Sequence, residues 1–179
     1  MQNKGAVFLD RDGVVNDNRK LVNKPEDLIL YSWTAQAIRR LNDAHFPTFI
    51  VTNQGGIELG YFTSRDLENI HACLKQQLQT ANAHIDDIVY CPHYHHPCEC
   101  RKPKPGMLLH LAQKHQIDLK LSWMIGDREP DILAGASAGC HTIKLGEHDV
   151  IADYYCENLR QAVETILQSP LRLNDIKEY

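Results

Sequence analysis

Two aspartates stand two residues apart, Asp10 and Asp12 in "FLDRDGVVN", directly after the apolar run "AVFL". Carboxylates this close repel, and a hard divalent cation with oxygen ligands is their cheapest neutralisation. The pattern of an apolar run followed by reactive side chains recurs along the chain. "TFIVT" leads into Thr52 and Asn53 of "VTNQGG", "DIVY" into a stretch carrying Arg101 and Lys102, and "SWMIG" into Asp127 and Asp131 of "GDREPD". Placed just past the carboxyl ends of parallel strands, these acids, a hydroxyl and a lysine would share one rim. Mg²⁺ fits oxygen ligands from Asp10, the backbone of Asp12 and Asp127. Asp10 can then attack phosphorus, the carboxylate route to an aspartyl-phosphate. Asp12 would protonate the leaving oxygen and later deprotonate the attacking water. Thr52 and Asn53 would donate hydrogen bonds to phosphoryl oxygens, with Lys102 set against the charge that builds in the transition state. Asp131, one helical turn past Asp127, would orient Lys102 or a water, although an acid is also expected there from the helix dipole alone.

A second constellation lies in "YCPHYHHPCECRKPKPG". Cys91, His93, Cys98 and Cys100 form C-x-H-x₄-C-x-C, a Cys₃His set suited to tetrahedral zinc. Four protein ligands leave no open position, so this zinc would be structural, folding residues 91–100 and holding Arg101 over the phosphate site. His95 and His96 are expected to be solvated loop residues. Cys73, Cys140 and Cys156 stand alone and are expected as small apolar core residues.

These groups need a scaffold that brings distant segments together. Short apolar runs at 6–9, 48–52, 87–90, 122–126 and 140–145 predict buried strands. Between them lie helical patterns: Ala37, Ile38, Leu41 and Ala44; Leu67, Ile70, Leu74, Leu78 and Ala81; Met107, Leu108, Leu111 and Ala112; Ile132, Leu133 and Ala136; and Leu159, Ala162, Val163, Ile166 and Leu167. Thr63 and Asp66 predict a capping box at the start of the second helix. Strand–helix alternation predicts an α/β fold, a Rossmann-like doubly wound parallel sheet. At 179 residues the chain is expected to form a single domain with a tail from Ser169 onward. The run before Asp10 is too short for a secretory signal, and no apolar segment is long enough to span a bilayer, so a cytoplasmic, membrane-free protein with reduced thiols is expected. The net charge of −4 lacks the basic footprint of a duplex-binding protein, which leaves no nucleic acid among the expected partners. No heptad or broad apolar stripe appears, and a monomer is expected.

As a set, "FLDRDGVVN", "VTNQGG", "CRKPKPG" and "GDREPD" resemble the four ordered motifs of the haloacid dehalogenase superfamily of phosphohydrolases. The resemblance implies that superfamily's α/β fold and a Mg²⁺-dependent phosphatase activity. Within it, the chain resembles the branch containing the D-glycero-D-manno-heptose 1,7-bisphosphate 7-phosphatases and the histidinol-phosphate phosphatases, both of which carry a zinc loop before the motif lysine. "NQGGIELGYFT" and "RKPKPGMLL" favour a phosphorylated sugar; Arg128 and the short His93–Cys98 spacing favour histidinol phosphate. A nucleic-acid 3′-end phosphatase is a third possibility, disfavoured by the acidic balance. No segment is large enough for a separate cap domain, so the site should be open, with Arg101, Arg128 or Lys104 available to a second phosphate.

Overall fold

The computed structural model describes residues 4–169. Its centre is a six-stranded, fully parallel sheet of β1 (Val7–Leu9), β2 (Thr48–Asn53), β3 (Asp87–Cys91), β4 (Trp123–Gly126), β5 (His141–Leu145) and β6 (Tyr154–Cys156), in the order β3-β2-β1-β4-β5-β6. The helices are α1 (Thr34–Asp43), α2 (Ser64–Gln79), α3 (Gly106–His115), α4 (Glu129–Ala138) and α5 (Leu159–Gln168). Alternate strand residues feed opposite cores. Val7, Leu9, Ile50, Trp123 and Ile125 pack with residues of α1, α2 and α5, while Phe8, Phe49, Val51 and Met124 pack with those of α3 and α4. Helices on both faces explain why the central strands are continuous apolar runs with no polar alternation.

The expected doubly wound sheet is observed, and so are the five expected strands. One boundary of each moves by one residue, and one shift matters: β3 extends to Cys91, so the first residue of the cysteine cluster ends a strand. β6 was not foreseen. It is three residues long, its Tyr154 and Tyr155 are exposed, and only Cys156 turns inward, so it carries neither an apolar run nor a period. The Thr63 capping box is present: Thr63 Oγ1 accepts from Asp66 N–H at 3.2 Å, and Asp66 Oδ2 accepts from Thr63 N–H at 2.8 Å. The tail lies outside the described residues apart from Ser169, which is buried at the end of α5. No described helix is long and apolar enough to cross a membrane.

The strand order puts β1 between β2 and β4, the point at which chain progression across the sheet reverses and a crevice opens at the carboxyl ends. Leu9 is in register with Ile125, and Asp10 N–H continues the ladder to the Ile125 carbonyl at 3.0 Å. Residues about 115 positions apart thereby share one rim.

Candidate active site

At that rim, Asp10, Asp127 and Asp131 each offer a carboxylate oxygen within 4.8 Å of the others. Lys102 reaches in from the segment before α3. Its Nζ lies 2.8 Å from Asp10 Oδ1 and 2.6 Å from Asp131 Oδ1, and it donates to the Val51 carbonyl at 2.8 Å. Burial drives the Asp10 carboxyl up to about 7, reinforced by the charge of Asp131 and only partly offset by Lys102. Asp127 is also raised, by burial and then by Asp131. Lys102 is raised despite its burial, because two carboxylates face it.

Asp127 is the acid most in need of a cation. Its Oδ2 accepts from Asn18 Nδ2 at 3.1 Å, but its buried Oδ1 has no hydrogen-bond partner among the described residues. Gly13 makes room for it: at φ +90°, a Cβ there would fall 2.1 Å from Asp127 Oδ2. An orphaned carboxylate oxygen within a buried acid cluster fits a hard divalent cation held by Asp10 and Asp127.

Asp12 takes a different position from the other acids. Its carboxylate is clasped by Arg11, with Nη2 at 3.0 and 2.9 Å from the two oxygens, and accepts from Asn16 Nδ2 at 3.0 Å and Gln54 Nε2 at 3.1 Å. Burial would raise this carboxyl, but Arg11, Asn16 and Gln54 together hold it below the usual range. The structure thus keeps Asp12 ionised with its side chain outside the three-acid cluster. Gln54 also donates to Thr52 Oγ1 at 2.7 Å, linking Thr52 to the same network.

Asn53 is placed at the rim, but its amide is largely engaged: Nδ2 donates to the Lys102 carbonyl at 3.0 Å and Oδ1 accepts from Lys102 N–H at 3.0 Å. One Nδ2 hydrogen remains for a ligand. A cavity of about 470 Å³ opens over these groups, lined by Thr52, Lys102, Arg101 and Arg128 among others. Another cavity of the same size is lined by Asp17, Arg19, Lys20, Glu26 and Asp27, all from the connection between β1 and α1, and by none of the residues at the strand ends. Lys104 is turned out of the site, 2.7 Å from Glu99 Oε1, so the structure does not bring it to the cavity. Lys20 and Asn18 line the cavity instead. Sequence reasoning passed over Arg11, Asn16 and Gln54. The signal for Arg11 was its position between two acids, where a cation that is 1% exposed must be serving one of them.

Beside the cavity, Cys91, His93, Cys98 and Cys100 converge. His93 Nδ1 lies 3.5 Å from Cys91 Sγ and 3.4 Å from Cys100 Sγ, and Cys91 Sγ lies 3.6 Å from Cys98 Sγ. Ligand bonds of about 2.0–2.3 Å give tetrahedron edges of roughly 3.5–3.8 Å, so these separations fit zinc. The Cys91–Cys100 edge, 3.0 Å, is tighter. Burial works against ionisation of Cys98, but the Arg101 N–H and the neighbouring thiols outweigh it and bring the thiol down to about 7, towards the thiolate a metal needs. Tyr94, His95 and His96 sit on the turn between His93 and Cys98; His96 is not simply solvated, because its Nδ1 lies 2.7 Å from Glu58 Oε1.

The HAD-hydrolase-like family model matches residues 99–162. The D-glycero-beta-D-manno-heptose-1,7-bisphosphate 7-phosphatase of Rhodopseudomonas palustris is 40% identical over 153 residues, covering 81% of this chain and 85% of its own. The enzyme of the same name from Helicobacter pylori strain J99 is 34% identical, with 90% and 96% covered. The crystal structure of D,D-heptose 1,7-bisphosphate phosphatase from B. bronchiseptica, complexed with magnesium and phosphate, superposes with a TM-score of 0.86 at 32% identity, covering 92% of this chain and 98% of that one. Similarity of this extent makes the chain a phosphatase and a member of the haloacid dehalogenase-like hydrolases, in the family of the heptose-1,7-bisphosphate 7-phosphatases.

Proposed function

We propose that the chain removes the 7-phosphate of D-glycero-D-manno-heptose 1,7-bisphosphate by way of an aspartyl-phosphate on Asp10. The observation that carries this reading is the buried Asp10–Lys102–Asp131 arrangement at the switch point of a fold whose relatives bear this activity in their names. Mg²⁺, held by Asp10, Asp127 and the backbone of Asp12, would supply charge neutralisation between phosphate and carboxylates. Lys102 favours the ionised form of Asp10 and holds its Oδ1 in place, while Asp131 fixes the ammonium from the other side. Thr52 and the remaining Asn53 hydrogen serve the phosphoryl oxygens. Asp12, held as a carboxylate by Arg11 and Gln54, is in the form needed to deprotonate the attacking water. Protonating the leaving oxygen requires it to take up a proton and release those partners. Arg101 and Arg128 flank the cavity mouth and would meet the substrate's phosphates. Zinc on Cys91, His93, Cys98 and Cys100 would fix the loop that ends at Arg101.

Phosphate release should be measured in Mg²⁺ from both anomers of the heptose bisphosphate and from histidinol phosphate. A kcat/KM preference for a heptose bisphosphate is expected, and a preference for histidinol phosphate would overturn the substrate assignment.

A further inference from the structure

The connection from β2 to α2, residues 54–63, and the cysteine–histidine loop rise from neighbouring strands and meet above the rim. One carboxylate joins them. Glu58 accepts from the N–H groups of Tyr94 at 2.6 Å, His95 at 3.1 Å and His96 at 3.5 Å, and lies 2.7 Å from His96 Nδ1. The Tyr94 N–H contributes most to holding this carboxyl down at about 2, so the clamp stays charged through the neutral range. The clamped turn in turn holds Arg101. The His93 carbonyl accepts from Arg101 Nη1 at 2.7 Å, and the Tyr94 ring centre stands 5.3 Å from Arg101 Cζ. The fit is close from the other loop too: a Cβ on Gly55 would lie 2.9 Å from Tyr94 Cδ2 and 3.2 Å from Arg101 Nη1. Arg101 lines the active-site cavity next to Lys102.

We infer that Glu58 is a positioning residue for Arg101: by clamping the turn at 94–96 it fixes where the guanidinium meets a phosphorylated ligand. The inference rests on the reading of Arg101 as a phosphate contact. The metal-type ligands at His93 and Cys98 hold the ends of the turn, but its middle residues carry the Tyr94 ring and border the His93 carbonyl. Loss of the clamp therefore loosens Arg101 without removing any of the acids that do the chemistry.

The test is a cycle of Glu58→Ala, Arg101→Ala and the double variant, with Glu58→Gln as the milder change that keeps an acceptor oxygen and drops the charge. The readouts are the Kd of inorganic phosphate in Mg²⁺ by titration calorimetry, kcat and KM on the heptose bisphosphate, and zinc content. Glu58→Ala is expected to weaken phosphate binding about tenfold, the scale of one misplaced charge-assisted hydrogen bond, with the kinetic loss in KM rather than kcat. Glu58→Gln should fall between it and the parent. In the Arg101→Ala background, Glu58→Ala should add nothing. Additive losses, unchanged phosphate affinity, or a loss that tracks zinc loss would overturn the inference. Phosphate coupling without heptose turnover would reject the substrate assignment alone, and heptose turnover without coupling would reject the role of Glu58 alone.

Discussion

Lys102 Nζ stands 2.8 Å from Asp10 Oδ1 and 2.6 Å from Asp131 Oδ1, so a single buried ammonium pairs with two buried carboxylates, one just past β1 and one in the first turn of α4. Breaking such an arrangement from the cationic side is more costly than from either anionic side, because it strands two charges rather than one. Lys102→Met is expected to destabilise the metal-free protein by about 3–5 kcal/mol at pH 8. Asp131→Asn should cost less than half of that, since Asp10 still pairs with the lysine. Urea unfolding in a chelator compares them; equal losses would mean that stranding two carboxylates costs no more than removing one of them.

The raised Asp10 carboxyl sets a pH dependence. Its value in the folded protein, about 7, lies above the ordinary 3.8, so the folded state binds the proton more tightly than the unfolded one. The stability this contributes is complete below about pH 4 and is lost as the pH rises through about 7. A cation that binds the carboxylate form competes with that proton. The thermal shift given by a fixed Mg²⁺ concentration should therefore grow between pH 5.5 and pH 8. A shift of the same size at both would place the cation elsewhere.

Much of this site was legible because parallel strands are read easily when both faces are buried. The runs ending before Asp10, Thr52 and Asp127 are continuous and apolar, and in this fold the next residue falls on the rim. What the chain does with each side chain once there was harder to read. Asp10 and Asp12 look equivalent in "DRD", yet one pairs with Lys102 and the other with Arg11. The difference depends on Gln54 and Asn16, which come from separate turns and have no pattern of their own. Glu58 was invisible for the same reason: its partners are backbone N–H groups, which no residue type announces.

The cysteine cluster predicts a metal-dependent loop. Stripping zinc with a chelator, or Cys98→Ser, should leave the sheet folded but lower Tm by at least about 5 °C, given about 2–4 °C per kcal/mol for a chain of this size. Zinc should restore the stripped protein and Mg²⁺ should not. Full Tm in zinc-free protein would show that the four side chains hold the loop by packing and hydrogen bonds alone.

The division of labour between Asp10 and Asp12 can be separated with a leaving group that needs no proton. An aryl phosphate expels a stable phenolate, so its first step calls on the nucleophile but hardly on the acid. Asp12→Asn should therefore still release a burst of about one phenolate per protein from p-nitrophenyl phosphate and then stall, because no carboxylate deprotonates the water that must open the aspartyl-phosphate. Asp10→Asn should give neither burst nor turnover, a loss of three orders of magnitude or so. With the alkyl phosphate of the heptose, whose leaving oxygen must be protonated, both variants should be silent. The position of Asp12 supports this order of events: Arg11 and Gln54 hold it ionised beside the site, the form a base needs, while Asp10 is the carboxylate that meets Lys102. A burst from Asp10→Asn would mean that the attacking carboxylate is another of the four acids at this rim.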